Sequence, residues 1–187
     1  MENLRTSPAS AHEEMLSYEE FRNTVLNDYR IAVESREASL MGRREVLTGK
    51  AKFGIFGDGK EVAQVAMSKF FKPGDFHAGY YRDQTFMFAT GIATITQMFA
   101  QLYADPDLKH EPFNAGRQMV NHFATRNVDE DGNWVTLTET KNISSAMAPT
   151  ASQMPHALGL AFASKLFRKN ASLSHLTHLS NNGNEVC

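Results

Sequence analysis

The residues able to do chemistry in this sequence sit in a few short runs. Gly57-Asp58-Gly59 places a carboxylate between two glycines. Such a carboxylate suits Mg²⁺, which prefers hard oxygen ligands, when an Asn carboxamide follows about two dozen residues later. Here that window holds Arg82, Asp83, Gln84, Thr85, Phe86 and Met87, and no Asn occurs before Asn114. Asp58 is therefore expected to cap a helix that starts at Lys60, with the glycines serving the turn. Tyr80-Tyr81-Arg82-Asp83 is the better candidate. An Arg at a helix start adds a planar guanidinium to a terminus already favourable for anions, which suits a diphosphate, and Tyr81 adds a hydroxyl beside it. Spacing alone favours an Arg82 paired with Asp75 or Asp83 at the surface.

The histidines offer less. His175-x-x-His178 lies among Ser, Leu and Asn with no Cys or carboxylate at zinc spacing, so a solvated loop is expected there. His77 and His122 are expected to be partly buried and hydrogen-bonded. There is no Cys/His pair and no Gly-x-Ser-x-Gly elbow, so nucleophilic catalysis has no candidate and chemistry must come from a cofactor or from residues outside the chain.

Composition narrows the classes further. The 187 residues fit one domain, and 42% hydrophobic with 21% charged residues is an ordinary globular balance. Nineteen Lys and Arg against 21 Asp and Glu leave a formal charge of −2, with no basic run, which disfavours nucleic acid. The one cysteine, Cys187, allows no intrachain disulfide and fits a reducing compartment. No stretch approaches the roughly 20 apolar residues that cross a bilayer, and the start has no apolar secretory core. A cytoplasmic location, or the mitochondrial matrix in a eukaryote, is expected.

The elements that must position these residues are mostly helices. Residues 1–13 read as a flexible tail. Ser17 and Glu20 form a capping box, and Phe21, Val25, Tyr29, Ala32 and Val33 then recur at helical spacing, with Gly49 as the stop. This is expected to be an amphipathic packing helix. A second helix runs from Lys60 to about Phe71, before the break at Lys72-Pro73-Gly74-Asp75. Phe76 to Tyr81 reads as a short strand, Arg82 to Thr90 as a helix ending at Gly91, and Thr94 to Tyr103 as another helix. A loop covers 104–118, an acidic turn covers 127–133, and Trp134 to Thr138 alternates as a strand would. The last helix runs from Ser152 to Lys169, and its Ala157, Gly159, Ala161, Ala163 and Ser164 predict a tightly packed internal or subunit contact. The final Asn181-Asn182-Gly183-Asn184-Glu185-Val186-Cys187 is a turn entering what reads as a strand, so truncation is expected there.

Four blocks in order, between Gly49 and Lys169, carry a family resemblance. They are Asp58-Gly59-Lys60-Glu61-Val62-Ala63, Tyr81-Arg82-Asp83 followed by Gly91, Gly116-Arg117-Gln118-Met119-x-x-His122, and Ile143-Ser144-Ser145 leading to Gln153-Met154-Pro155-x-x-x-Gly159-x-Ala161. Together they resemble the alpha subunit of the decarboxylating component of thiamine-diphosphate-dependent 2-oxo acid dehydrogenases, in its branched-chain (2-oxoisovalerate) form. The resemblance implies the helix-rich N-terminal part of an α/β thiamine-diphosphate-binding fold over residues 14–187. It implies that Tyr81 and Arg82 contact the cofactor, Arg82 at the diphosphate, and that Ser145, Pro149 and Thr150 line it. Ser152 and Gln153 match the side chains that hold a structural K⁺ in some members.

The same resemblance places the Mg²⁺ ligands beyond Cys187, and leaves no catalytic residue within the chain. It implies a beta subunit or fused beta half, a lipoyl-bearing acyltransferase as the next component, and a homo- or hetero-oligomer. The implied reaction is oxidative decarboxylation of a 2-oxo acid with acyl transfer to lipoyl, and the chain alone is expected to be silent. The sequence departs from the family pattern in two places. Ile55 stands where pyruvate-specific members have His, which argues against pyruvate, and about three extra residues separate Ser145 from Gln153. The competing readings are a non-catalytic assembly module, a pyruvate-type enzyme, and a transketolase-like enzyme; the Gly116-Arg117-Gln118-Met119 block disfavours the last.

Overall fold

The computed structural model of the protein describes residues 16–187, so the tail expected at 1–13 lies outside the described residues. Five helices and a two-stranded parallel sheet make up the regular structure among them. Helix α1, Tyr18–Leu47, starts where the capping box predicts: the Ser17 hydroxyl accepts from the Glu20 N–H (3.3 Å), and the Glu20 carboxylate accepts from the Ser17 N–H (2.9 Å). It ends just before Gly49, whose φ of +77° is open to glycine at little cost.

The buried face of α1 is not the one the large apolar residues predict. Phe21, Val25, Tyr29 and Val33 remain 57%, 46%, 69% and 40% exposed, whereas Ser35, Ala38, Ser39 and Gly42 are buried. Those four lie at i, i+3, i+4 and i+7, one stripe of a helix, and their small size lets other chain segments press in. The Phe56 ring occupies the space that a Cβ at Gly42 would need.

Helices α2 (Glu61–Ser68), α3 (Gln84–Ala89) and α4 (Ile95–Leu102) pack over the C-terminal half of α1. A second capping box, Thr94 with Gln97, opens α4. Phe56, Phe86, Met87, Met98, Leu102, Val120, Phe123 and Ile143 form the core. Strands β1 (Phe76–Ala78) and β2 (Asn142–Ser144) pair in parallel, with His77 opposite Ile143. A parallel pair needs a crossover, and here α3, α4 and the long loop after them supply it.

Two expected elements differ. Trp134 to Thr138 is not a strand: Trp134 makes one antiparallel bridge with Val128, and Leu137–Glu139 turns as a 3-10 helix. The reason is tertiary, since Leu137 is buried and its N–H is taken by the His178 carbonyl (2.7 Å). Helix α5, Gln153–Lys169, forms as expected, but its small residues are only partly covered: Ser164 donates to Glu185 (3.2 Å), while no residue of the helix is buried and a Cβ at Gly159 would meet open space. Near Cys187 the chain runs beside β1, the Phe76 N–H donating to the Val186 carbonyl (2.9 Å), without forming a strand. No helix among the described residues is long and apolar enough to cross a membrane.

Candidate functional site

The site grows from a buried polar network that the apolar core encloses. Gln84, fully buried at the start of α3, donates through Nε2 to the Ser35 carbonyl (3.1 Å), the Ser35 hydroxyl (3.2 Å) and the Ser39 hydroxyl (2.9 Å). Its Oε1 accepts from the Gly57 N–H (3.2 Å) and from Asn121 Nδ2 (3.1 Å). Asn121 also donates to the Ile55 carbonyl (2.8 Å). One side chain thus ties α1, the 53–59 turn and the 116–123 loop together. Such groups are expensive to bury unless paired, so the network holds these segments in one arrangement.

The 57–61 turn carries two ion pairs. Arg43 binds both oxygens of Asp58 (2.7 and 2.8 Å), so Asp58 does not cap α2, whose N-cap residue Lys60 makes no side-chain cap. Glu61 takes that role in part, accepting from the Gly59 N–H (3.0 and 3.1 Å) while Arg36 grips both its oxygens (2.6 and 2.9 Å). The Arg36 guanidinium, ahead of the backbone donors, holds the buried Glu61 carboxyl down at about 2, from an ordinary 4.5. A carboxyl depressed by folding adds stability that is complete above its unfolded value and is lost as pH falls through the folded one. Stability is therefore expected to fall between about pH 5 and pH 2, by on the order of 2–3 kcal/mol from this group, given that Arg36 is half-exposed. Urea midpoints at pH 6 and pH 3 check this, because Glu61→Gln should flatten that part of the profile.

Tyr80 to Asp83 form a clamped turn rather than a helix start. Helix α3 begins two residues beyond Arg82, at Gln84, and is six residues long, so the expected helix-terminal anion site is absent. Gln64 does the clamping: its Nε2 donates to the Arg82 carbonyl (2.9 Å) and its Oε1 accepts from the Phe86 N–H (3.1 Å). The Gly57 backbone lies hard against the same Arg82 carbonyl, leaving no room for a Cβ. Asp83 accepts from the Tyr80 N–H (2.7 Å) and lies 3.0 Å from His77 Nε2, so His77 is hydrogen-bonded as expected.

The side chains left over by this clamping face outward. Arg82 has no carboxylate partner among the described residues, and Asp75 and Asp83 are engaged elsewhere. Its guanidinium lies 5.8 Å from the Tyr81 ring centroid and lines an open cleft of about 340 Å³ with Arg43, Gly54, Ile55 and Asp58. Tyr81 faces a neighbouring cavity of about 200 Å³, walled by Phe53, Ile55, Met119, Val120, His122 and Ala148. Ile55 belongs to both. The hydroxyls of Tyr80 and Tyr81 share a hydrogen bond (2.6 Å). That bond sets Tyr80 below and Tyr81 above the ordinary phenol value, and the Thr150 side chain acts on both.

The structure brings Tyr81, Arg82 and Thr150 together. Ser145 and Pro149 are exposed and line neither cavity; Ala148 enters from their loop instead. Ser152 Oγ and Gln153 Oε1, from successive residues at the start of α5, are withdrawn from solvent with no hydrogen-bond partner among the described residues. His175 Nδ1 pairs with the Ser172 carbonyl (2.9 Å).

The His122 loop is built as firmly as the turn opposite. Gln101 brackets the His122 backbone, accepting from its N–H (3.0 Å) and donating to its carbonyl (2.9 Å), and Asn114 Nδ2 donates to that carbonyl too (3.2 Å). Glu111, fully buried, accepts from the N–H groups of Phe113, Asn114 and Gly116 (2.9–3.1 Å). Reading the sequence for apolar periodicity passes over Gln64, Gln84, Gln101, Glu111 and Asn121. One signal was present: Gln101 stands between Met98 and Leu102 on the apolar stripe of α4, where an uncharged amide is out of place unless paired.

Comparison with known proteins bears directly on this arrangement. The family model described as dehydrogenase E1 component matches residues 31–179, a span that holds the network, the turn and the His122 loop. The chain belongs to that family. Among curated relatives of this E1 chain is the 2-oxoisovalerate dehydrogenase subunit alpha of Bacillus subtilis (strain 168), 29% identical over 124 residues. The alignment covers 66% of this chain and 32% of the relative, so the chain spans about a third of the length of the curated relative it matches. Among the described residues, no group of three or more His, Cys, Asp or Glu is placed to hold a metal ion.

Proposed function

We propose that this chain forms the alpha side of a thiamine-diphosphate site in a 2-oxo acid dehydrogenase that prefers branched-chain 2-oxo acids. The observation that carries the reading is Arg82, a guanidinium without a carboxylate partner among the described residues, on a turn whose main chain is held by Gln64. A planar cation so placed is matched to the oxygens of a diphosphate. In this reading Arg82 anchors the diphosphate, Tyr81 contacts the cofactor from the adjoining cavity, and Thr150 steadies the tyrosine pair. Ser145 and Pro149 remain proposed lining positions on the exposed loop.

The cofactor, when bound, supplies the electron sink for loss of CO₂. The residues of this chain bind and orient it, and the apolar wall of Phe53, Ile55, Met119 and Val120 excludes water from its neighbourhood. Ser152 and Gln153 fit K⁺, since oxygens without partners and out of water call for an ion or a water. The Mg²⁺ ligands are assigned to residues beyond Cys187, and the catalytic groups to the rest of the enzyme. Helices around the parallel β1–β2 pair then belong to an α/β thiamine-diphosphate-binding fold spanning 14–187, completed by a beta subunit or fused beta half. The acyl group would pass to a lipoyl-bearing acyltransferase, and this chain alone would be inactive.

A second reading, a non-catalytic assembly module, draws on α5. Met154, Leu158, Phe162 and Leu166 recur every fourth residue and are 67%, 70%, 57% and 45% exposed, a face suited to a subunit contact. Arg82→Ala separates the two. In the assembled enzyme with Mg²⁺, calorimetry should show thiamine diphosphate binding weakened by about 10- to 100-fold, the loss of a charge-assisted contact. Unchanged affinity would favour the module.

A further inference from the structure

Arg82 stays unpaired although carboxylates surround it. Asp58 lines the same cleft of about 340 Å³, and Asp83 is the next residue in the chain, yet neither pairs with it. Opposite charges in one half-open cleft attract, so a bare guanidinium beside carboxylates needs a cause. Asp83 is taken by the Tyr80 N–H (2.7 Å) and lies 3.0 Å from His77 Nε2. Asp58 gives both its oxygens to Arg43 Nη2 (2.7 and 2.8 Å).

Helix α1 supplies that cause. Arg36 and Arg43 stand about two helical turns apart and therefore on one face. That face meets the 57–61 turn, and the two arginines divide its carboxylates: Arg36 grips Glu61 and Arg43 grips Asp58. The same turn holds Asp58 close to Arg82, because the Gly57 backbone lies against the Arg82 carbonyl. The Asp58 side chain is 26% exposed and so partly withdrawn from water. Of the three charged side chains in the cleft, Arg43 and Asp58 cancel, and Arg82 keeps a positive charge without a partner among the described residues. Without Arg43, Asp58 would have one bare guanidinium to turn to. Glu61 already occupies Arg36, whereas Arg82 is free and its long side chain can swing across the cleft.

We propose that Arg43 is a positioning residue that keeps Arg82 open: by holding Asp58, it stops the cleft's own carboxylate from occupying the guanidinium that an incoming diphosphate needs. The inference rests on the diphosphate reading above for the identity of the anion. Asp58 and a diphosphate compete for the same planar donors, and an internal competitor lowers apparent affinity by the fraction of molecules that it occupies. Arg43 also neutralises the charge with which Asp58 would repel an anion in the cleft. In this arrangement Arg43 acts through Asp58 and does not touch the cofactor.

A two-residue cycle in the assembled enzyme, read by calorimetry with thiamine diphosphate and Mg²⁺, tests this. Arg43→Met should weaken binding about three- to tenfold, the size expected of a competing ion pair in a half-open cleft. Arg43→Lys keeps a cation for Asp58 and should stay within about twofold of wild type. Asp58→Asn should bind no more weakly than wild type, and adding it to Arg43→Met should restore the affinity. A double variant as weak as Arg43→Met overturns the inference, and so does Asp58→Asn if it is equally weak by itself. Guanidinium ¹⁵N NMR on the full chain reads the pairing without cofactor. The Arg82 Nη resonances should average freely in the wild type, become hindered in Arg43→Met and average again in the double variant. Arg82 that stays averaged in Arg43→Met also overturns the inference. Unchanged cofactor affinity in Arg82→Ala would sink the diphosphate reading instead, and the NMR comparison would still decide whether Arg43 keeps Asp58 from Arg82.

Discussion

Gln84→Leu is expected to cost about 3–4 kcal/mol of folding stability, among the larger losses a single substitution brings. Leucine nearly matches the volume, so the loss is not one of packing. What disappears is the partner of the Gly57 N–H, of Asn121 Nδ2, and of the Ser35 and Ser39 oxygens, all in a region where water does not reach. Each donor or acceptor stranded in a dry interior costs about 1–3 kcal/mol, partly recovered where Ser35 keeps Thr85 at 2.7 Å and Asn121 keeps the Ile55 carbonyl. Urea denaturation followed by circular dichroism reads this out. A midpoint within 0.5 kcal/mol of wild type, at unchanged slope, would mean that α1, the 53–59 turn and the His122 loop are held by their apolar contacts alone.

Gly57→Ala should do the most damage for the fewest atoms. The added methyl would enter the space of the Arg82 carbonyl oxygen. That carbonyl cannot retreat without breaking its bond to Gln64, and Gly57 cannot retreat without leaving Gln84. Overpacking against fixed backbone is expected to cost about 2–3 kcal/mol and to shift the Arg82 side chain. In the assembled enzyme, thiamine diphosphate affinity should fall by about tenfold or more, the size of one misplaced charge-assisted contact. Gly59→Ala is the control. Its φ of +94° imposes a backbone penalty of about 1–2 kcal/mol, but nothing lies within 4 Å of the new Cβ and Arg82 is not displaced. Equal loss of cofactor affinity in both variants would show that the turn, and not its contact with Arg82, governs the site.

These two substitutions mark where reading the sequence stops. Both act through contacts between residues 25 or more positions apart, Gly57 against Arg82 and Gln84 with Gly57, Ser35 and Ser39. A pattern of side-chain types along a window carries no trace of such partners. The apolar spacing of α1 located the helix but pointed to the wrong face, because burial went to Ser35, Ala38, Ser39 and Gly42, whose small size allows the approach. Asp58 was legible as a turn residue, yet its partner is Arg43 on α1 and not the helix it precedes. Trp134 to Thr138 alternates as a strand does, but a strand requires a neighbour to pair with along its length, and among the described residues it makes a single bridge, to Val128.

By itself, the sequence determined the helices, the capping box of the first, the breaks between them and the family, because each of those signals is local or is an ordered series of local blocks. Capping works through residues three apart, so Ser17 with Glu20 carries its own meaning. Tyr81 and Arg82 were likewise legible as candidates from their types and their neighbours. Only the tertiary structure decided that Arg82 has no carboxylate partner among the described residues, that the Thr150 side chain acts on the tyrosines while Ser145 and Pro149 lie exposed, and that buried His122 keeps one ring nitrogen unpaired. The physical reason is the same in each case. Whether a polar atom is satisfied depends on what distant segments bring to within about 3 Å of it, and burial turns that accident of packing into free energy.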